Sequence, residues 1–225
     1  MQGILLVDKP KEWTSFDVVN YVRKMVAIAE EKKPKNVKVG HTGTLDPMAT
    51  GLLVLLIGKE YTRKATELSK HDKTYAVTMK LGETSTTGDI EGEKSVISTD
   101  KPTQKALQDA LEGLQGHIMQ KPPIYSAVKI NGQRAYKLAR EGKMVELEPR
   151  PVTIYSLELT DYTYPLVKFT ARVSSGTYIR SLVEDLGAVL KTGAYMSDLR
   201  RTEVGNYKLQ DAQTVKNIDL DTVIG

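Results

Sequence analysis

Residues 40–51, Gly-His-Thr-Gly-Thr-Leu-Asp-Pro-Met-Ala-Thr-Gly, gather three glycines, His41 and the carboxylate of Asp46 into one short stretch. The glycines permit tight backbone geometry, and Pro47 biases Asp46 away from the α region, which fixes where its carboxylate points. On pattern alone Asp before Pro is ordinary turn chemistry. A phosphate-cradling loop does not fit, because the gap from Gly51 to Gly58-Lys59 is too long and Glu60 stands where Ser or Thr would hold magnesium. No G-x-G-x-x-G follows either, so the dinucleotide fingerprint is missing. Glycoside hydrolysis would pair Asp46 with a second carboxylate such as Asp8 or Glu60. The three histidines, His41, His71 and His117, are widely spaced and form no zinc signature, so no metal is assigned.

The elements that must hold this segment can be read from periodicity. A short apolar strand over 3–7 is closed by Asp8-Lys9-Pro10. A helix follows with Ser15 as its expected N-cap and Val18, Val19, Val22, Met25 and Val26 on one face. The charged run 30–38 reads as an exposed loop, and the apolar run 52–57 as a strand buried on both faces. Residues 74–81 alternate, with Tyr75, Val77, Met79 and Leu81 on the apolar side, where Tyr75 reads as core. A polar excursion over 84–98 precedes a helix from Thr103 carrying Ala106, Leu107, Ala110, Leu111 and Leu114. Residues 117–150, with Pro122-Pro123, an Asn131-Gly132 turn and a basic piece around Tyr136, Lys137 and Arg140, read as an insertion. Strands are expected over 152–160 and 166–173, then a helix from Tyr178 whose stripe is Ile179, Leu182, Val183, Leu186, Val189 and Leu190. Arg180 lies off that stripe, where a lone arginine is ordinarily exposed. Helices and strands mix without strict alternation, which predicts an α+β fold with a largely antiparallel sheet.

The chain has 225 residues, 40% hydrophobic and 27% charged, consistent with one soluble domain spanning 1–225. A net charge of +4 and a pI near 9.0 lean toward a polyanionic partner. Zero cysteines exclude disulfides, thiolate metal sites and thiol nucleophiles and fit a cytoplasmic protein. The longest apolar runs, 4–7 and 52–57, fall far short of the ~18 residues of a membrane span, and no secretory leader is read, so no membrane association is expected.

Residues 40–47 with Ala49-Thr50-Gly51 resemble the signature of the TruB family of tRNA pseudouridine synthases. The resemblance extends in order and spacing to residues 3–10 (GILLVDKP), Lys73-Thr74-Tyr75, residues 122–129 (PPIYSAVK), Gly176-Thr177-Tyr178-Ile179-Arg180 and Leu199-Arg200-Arg201. It covers essentially the whole chain, and His41 makes the first motif more similar to bacterial stand-alone enzymes than to guide-RNA-dependent relatives. The resemblance implies a pseudouridine synthase fold, a mixed and largely antiparallel central sheet flanked by helices with an active-site cleft. It also implies isomerisation of uridine 55 in the TΨC loop of tRNA, without a cofactor and without a guide RNA.

By the same resemblance Asp46 is the nucleophile at ribose C1′, and Arg180 keeps that carboxylate charged and oriented. Tyr75 stacks on the target base and serves as acid/base, while His41 supports the flipped nucleotide. Tyr178 and Leu199 line the uracil pocket, and Lys9 shapes the site. The insertion would close on the T arm, with Lys121, Lys129, Arg134, Lys137, Arg140 and Lys143 meeting phosphates. Bacterial relatives commonly add a C-terminal PUA-type domain. None is expected within residues 1–225, and residues 209–225, with Asp211, Asp219 and Asp221 against Lys216, do not read as a basic RNA-binding tail. A monomer is expected, as no heptad pattern appears. Uridine C5-methylation is a rival excluded by the missing cysteine, and a non-catalytic tRNA-binding or folding chaperone of the same fold is the alternative.

Overall fold

In the computed structural model the described residues are 1–126, 128–130, 132–143 and 145–225, with Lys129, Ile130, Arg134, Tyr136 and Arg140 described at the backbone only. Chain order begins β1 (Gly3–Lys9), α1 (Ser15–Ala29), β2 (Val39–His41), β3 (Thr50–Ile57), α2 (Lys59–Arg63), α3 (Ala65–Leu68) and β4 (Lys73–Leu81). Next come β5 (Glu83–Ser85), β6 (Lys94–Val96), α4 (Gln104–Gly113), β7 (Gly116–Gln120), β8 (Lys129–Ile130), β9 (Gln133–Arg134) and α5 (Ala135–Arg140). The chain continues with β10 (Arg150–Thr163), β11 (Leu166–Val173), α6 (Ile179–Val189), β12 (Ala194–Val204), β13 (Tyr207–Lys208) and β14 (Gln213–Thr214). Contacts divide it into two compact units, residues 1–75 with 199–225 and residues 76–198. The chain passes from one unit to the other within β4 and again within β12.

The first unit is organised by the apolar runs of β1 and β3, which pair antiparallel from Gly3 opposite Ile57 to Lys9 opposite Gly51. Side chains alternate across the pleat, so each run supplies two faces. Leu53, Leu55 and Ile57 join Leu5 and Val7 against Val18, Val19, Val22 and Val26 of α1. Leu52, Val54 and Leu56 join Ile4, Leu6 and Val204 on the other face, packed by Tyr61, Ala65 and Leu68 from α2 and α3. Fully burying each such aliphatic side chain is worth about 1.5–3 kcal/mol, which explains why β3 has no polar face. The sheet order here is β14-β1-β3-β12-β4, with β12 parallel to β3 and β14 parallel to β1. The helix cap differs from expectation: Thr14, not Ser15, caps α1, because Asp17 three residues on completes a reciprocal capping box with Thr14.

In the second unit the order is β12-β4-β11-β10-β7, and β10 pairs antiparallel with both β11 and β7. Phe169, Ala171, Val173, Ile154 and Leu157 are buried on this sheet, and α4, capped by Thr103, packs on β10 and buries Leu107 and Leu111. The observed fold is α+β with a mixed sheet, as the sequence predicts. Three boundaries are corrected. Residues 117–120, expected to open an insertion, belong to β7 and the main sheet, because His117 and Met119 alternate with inward-facing Ile118 and Gln120 opposite β10. Strand β10 extends beyond 152–160 to Arg150 and Thr163, and β12 was not anticipated as a strand at all. The expected Asn131-Gly132 turn includes Asn131, which lies outside the described residues.

Candidate active site

The loop that joins β2 to β3 carries Asp46, and its chain neighbours are pinned on both sides. Leu45, itself buried, donates its N–H to Ser15 Oγ at 2.8 Å and accepts from the same hydroxyl at 3.2 Å. The Pro47 carbonyl accepts from Glu12 N at 2.8 Å and from Lys9 Nζ at 3.3 Å. Glu12 presents that N–H from a left-handed conformation, φ +69°. The loop closes with Ala49 N donating to Asp46 O at 3.1 Å. Segment 9–15 therefore holds the main chain before and after Asp46, while the half-buried Asp46 side chain lies between them.

Beneath this loop are cations that water does not reach. Lys9 is fully buried on β1 and gives its protons to the carbonyls of Pro10, Trp13 and Pro47. Burial pushes its ammonium down to about 8, with attraction to Asp46 opposing and Arg201 adding to the depression. Arg201, 1% exposed, donates to Leu52 O at 2.8 Å and Gly43 O at 3.1 Å, so it stitches the loop to β3. Lys73 is buried at the start of β4, bonded to the carbonyls of Ser69 and His71, and burial followed by Arg201 lowers it to about 8. His41, on β2 opposite Leu55, is likewise lowered by burial and then by Arg201, which favours the neutral imidazole. Its Nδ1 is buried without a hydrogen bond among the described residues. Of these buried groups, Lys9 feels the Asp46 carboxylate, while Arg201 holds the same loop through Gly43 O.

Gly51 explains how Arg201 comes so close. Its φ is +102°, and a Cβ there would lie 2.3 Å from Arg201 O. Only glycine lets β12 approach at this point. Arg200, pointing oppositely along the same strand, forms a two-point ion pair with Asp8 at 3.2 and 2.7 Å. Asp8 alternates with Lys9 along β1, so it faces away from the side that Lys9 shares with the loop. Glu60 of α2 pairs at 3.7 Å with Lys64, the residue that ends that helix.

Tyr75 and Leu199 complete the sequence-derived set in the first unit, and both are buried, at 7% and 6%. The strand around Tyr75 is tied by Thr202 Oγ1 donating to Thr74 O at 3.2 Å and Thr74 Oγ1 donating to Glu203 at 2.9 Å. Tyr178 and Arg180 belong to the second unit, at the start of α6. Tyr178 occupies the helix-cap position rather than the helix, and its N–H and carbonyl are both bonded to the buried amide of Gln120, at 2.8 and 3.1 Å. Arg180 is buried, contrary to the exposure ordinary for a lone arginine. It donates to Thr87 O at 3.2 Å and Tyr125 O at 2.9 Å and pairs with buried Asp89 at 3.6 Å. Burial pushes the nearby Glu184 carboxyl up, with Asp185 adding to the rise and Arg180 opposing it.

Of the basic residues expected to meet phosphates, Lys121, Lys137 and Lys143 are exposed, and Lys143 pairs with Glu141 at 2.7 Å. The side chains of Lys129, Arg134 and Arg140 lie outside the described residues. Sequence reasoning missed Ser15 as a loop partner, Gln120 as the clamp on Tyr178, and the roles of Lys73 and Arg201. The last two stood in quoted motifs without a function, and only their burial reveals one.

Residues 30–179 match the TruB family pseudouridylate synthase N-terminal domain, and residues 180–224 match the tRNA pseudouridylate synthase B C-terminal domain. The chain is 41% identical to tRNA pseudouridine synthase B of Phocaeicola vulgatus over 215 residues, 95% of this chain and 90% of that protein. The protein of the same name from Clostridium novyi is 43% identical, with 99% and 74% covered. Among solved structures, a Cbf5-Nop10-Gar1 complex contains a chain that superposes with a TM-score of 0.71 at 31% identity. A second, an H/ACA RNP bound to a substrate RNA containing 2′-deoxyuridine, gives 0.69 at 26%. Each match covers 95% of this chain, which spans about half the length of those two solved chains, 52% and 51%. The carboxylate loop falls inside the first matched segment and Arg180 opens the second, and on these matches the chain belongs to the TruB family of pseudouridylate synthases.

Proposed function

We propose that this chain isomerises uridine to pseudouridine in tRNA, at uridine 55 of the TΨC loop, with Asp46 as the nucleophile. The reading rests on Asp46 held between two pinned neighbours and electrostatically coupled to buried Lys9. Family membership and relatives named tRNA pseudouridine synthase B support tRNA as the substrate.

The reaction breaks the bond from ribose C1′ to N1 and joins C1′ to C5 of the same uracil. N1 gains a proton and C5 loses one, so no electron or group is exchanged and no cofactor is required. Asp46 attacks C1′ or assists its ionisation, the freed uracil turns, C5 takes C1′, and the carboxylate is released. The attraction that Asp46 exerts on Lys9 is mutual and favours negative charge where the nucleophile must carry it. Tyr75 is assigned to stacking on the base and to moving the C5 proton, and His41 to support of the flipped nucleotide. Stacking on tyrosine is worth about 1–3 kcal/mol per base, comparable to the cost of flipping. Leu199 and Tyr178 are assigned to the uracil pocket, Arg180 to the charge on the nucleophile, and Lys9 to the shape of the loop. The enzyme would work as a cytoplasmic monomer on the T arm without a guide RNA, with exposed Lys121 and Lys137 meeting phosphates.

The test is chemical mapping of pseudouridine in an unmodified tRNA transcript after incubation with the chain. A new modification at position 55 alone is expected. Modification confined to other uridines would overturn the assigned target, and tRNA bound but unmodified would favour the chaperone alternative.

A further inference from the structure

Ser15 is the residue whose expected role the structure overturns without replacing, because Thr14 takes the capping position. Its hydroxyl is buried and meets the N–H and the carbonyl of Leu45, thirty residues away in sequence, at 2.8 and 3.2 Å. A buried backbone N–H and carbonyl must both be paired, and between β2 and β3 the strand ladder no longer pairs Leu45. One hydroxyl therefore does for Leu45 what a neighbouring strand would do. The capping box of Thr14 and Asp17 fixes the first turn of α1 and with it the position of Ser15. On the other side of Asp46, Glu12 N and Lys9 Nζ hold Pro47.

We propose that Ser15 is a positioning residue for the reaction, fixing the Leu45–Asp46 peptide so that the Asp46 carboxylate meets its target at the angle displacement requires. This rests on the reading of Asp46 as nucleophile. Misplacing a reacting group by about 1 Å can cost ~100-fold in rate. Loss of the hydroxyl should therefore lower turnover and leave the surface that binds RNA intact.

The experiment compares the full chain with Ser15→Ala, with Thr103→Ala as a control that removes a cap hydroxyl from α4. Turnover of a T-arm stem-loop, its dissociation constant, and hydrogen exchange of a peptide covering 42–48 are measured on each. Ser15→Ala should lower kcat by ~10 to 100-fold, leave the dissociation constant within about twofold, and speed exchange across 42–48. Thr103→Ala should change neither turnover nor that exchange. If Ser15→Ala yields no folded protein, Ser15→Cys, similar in shape and weaker in hydrogen bonding, carries the same comparison. A kcat within about twofold of the parent, or unchanged exchange at 42–48, would overturn the proposal. A parent chain inactive on uridine would remove the nucleophile reading instead, and the exchange data would still decide whether Ser15 holds the loop.

Discussion

Lys9 is an ammonium with no exposed surface whose hydrogen bonds end on main-chain carbonyls, and this gives it a readable pH signature. Its value in the folded chain, about 8, lies below its ordinary 10.5, and Lys73 is displaced in the same way. Between those values the unfolded chain holds more protons than the folded one, so stability rises with pH across the window. Below pH 8 the burial penalty is present in full, and above 10.5 it is gone. Urea midpoints measured from pH 7.5 to 9.5 should climb for the parent and flatten in Lys9→Met with Lys73→Met. Equal slopes in both proteins would contradict the assignment. Among single residues, the burial of Tyr75 was legible because the strand alternates, whereas the roles given to Asp46 and Tyr75 came from the family resemblance and from no local pattern. Ser15, Gln120 and Arg201 were not legible, since each acts on a partner far along the chain: 30 residues for Ser15 with Leu45, 58 for Gln120 with Tyr178, 158 for Arg201 with Gly43. No local pattern encodes such a pairing.

At the level of elements, the close approach of β12 to β3 is a steric requirement that substitution can isolate. Gly51 and Gly116 have nearly the same φ, +102° and +104°, but a Cβ at Gly51 meets the Arg201 backbone whereas one at Gly116 meets nothing within 4 Å. Gly116→Ala should cost about 1–2 kcal/mol from backbone strain alone. Gly51→Ala should cost roughly 3 kcal/mol or more, because overpacking adds to the strain. Denaturant melts of the two variants check this, and equal losses would mean that β12 is not held against β3 as described. The apolar strands and the long helices were legible because their burial follows one period. Strand β12 was hidden because its sequence, AYMSDLRRTEV, carries charges that look solvated. Arg201 is buried by binding carbonyls and Arg200 is paired with Asp8, so these charges have partners within the chain rather than only solvent. The cap of α1 was misread because two hydroxyl residues adjoin, and Asp17 decides between them.

Across the whole molecule, a net charge of +4 and the exposed lysines of residues 117–150 predict that binding is dominated by phosphate contacts. Affinity for a T-arm stem-loop should fall steeply with salt. Lys121→Glu with Lys137→Glu should make the log–log slope shallower by about 2, with kcat at saturation unchanged. An unchanged slope would place the RNA elsewhere. The motifs spread along the full chain made the family legible before any contact was known, whereas the division into two units, crossing inside β4 and β12, left no mark in composition. Tritium release from 5-tritiated uridine in a T-arm stem-loop distinguishes cofactor-free isomerisation by Asp46 from binding alone. With excess chelator and no nucleotide added, the parent chain should release tritium, and Asp46→Asn should bind the RNA equally well and release none. Release by Asp46→Asn at the parent's rate would remove Asp46 from the reaction.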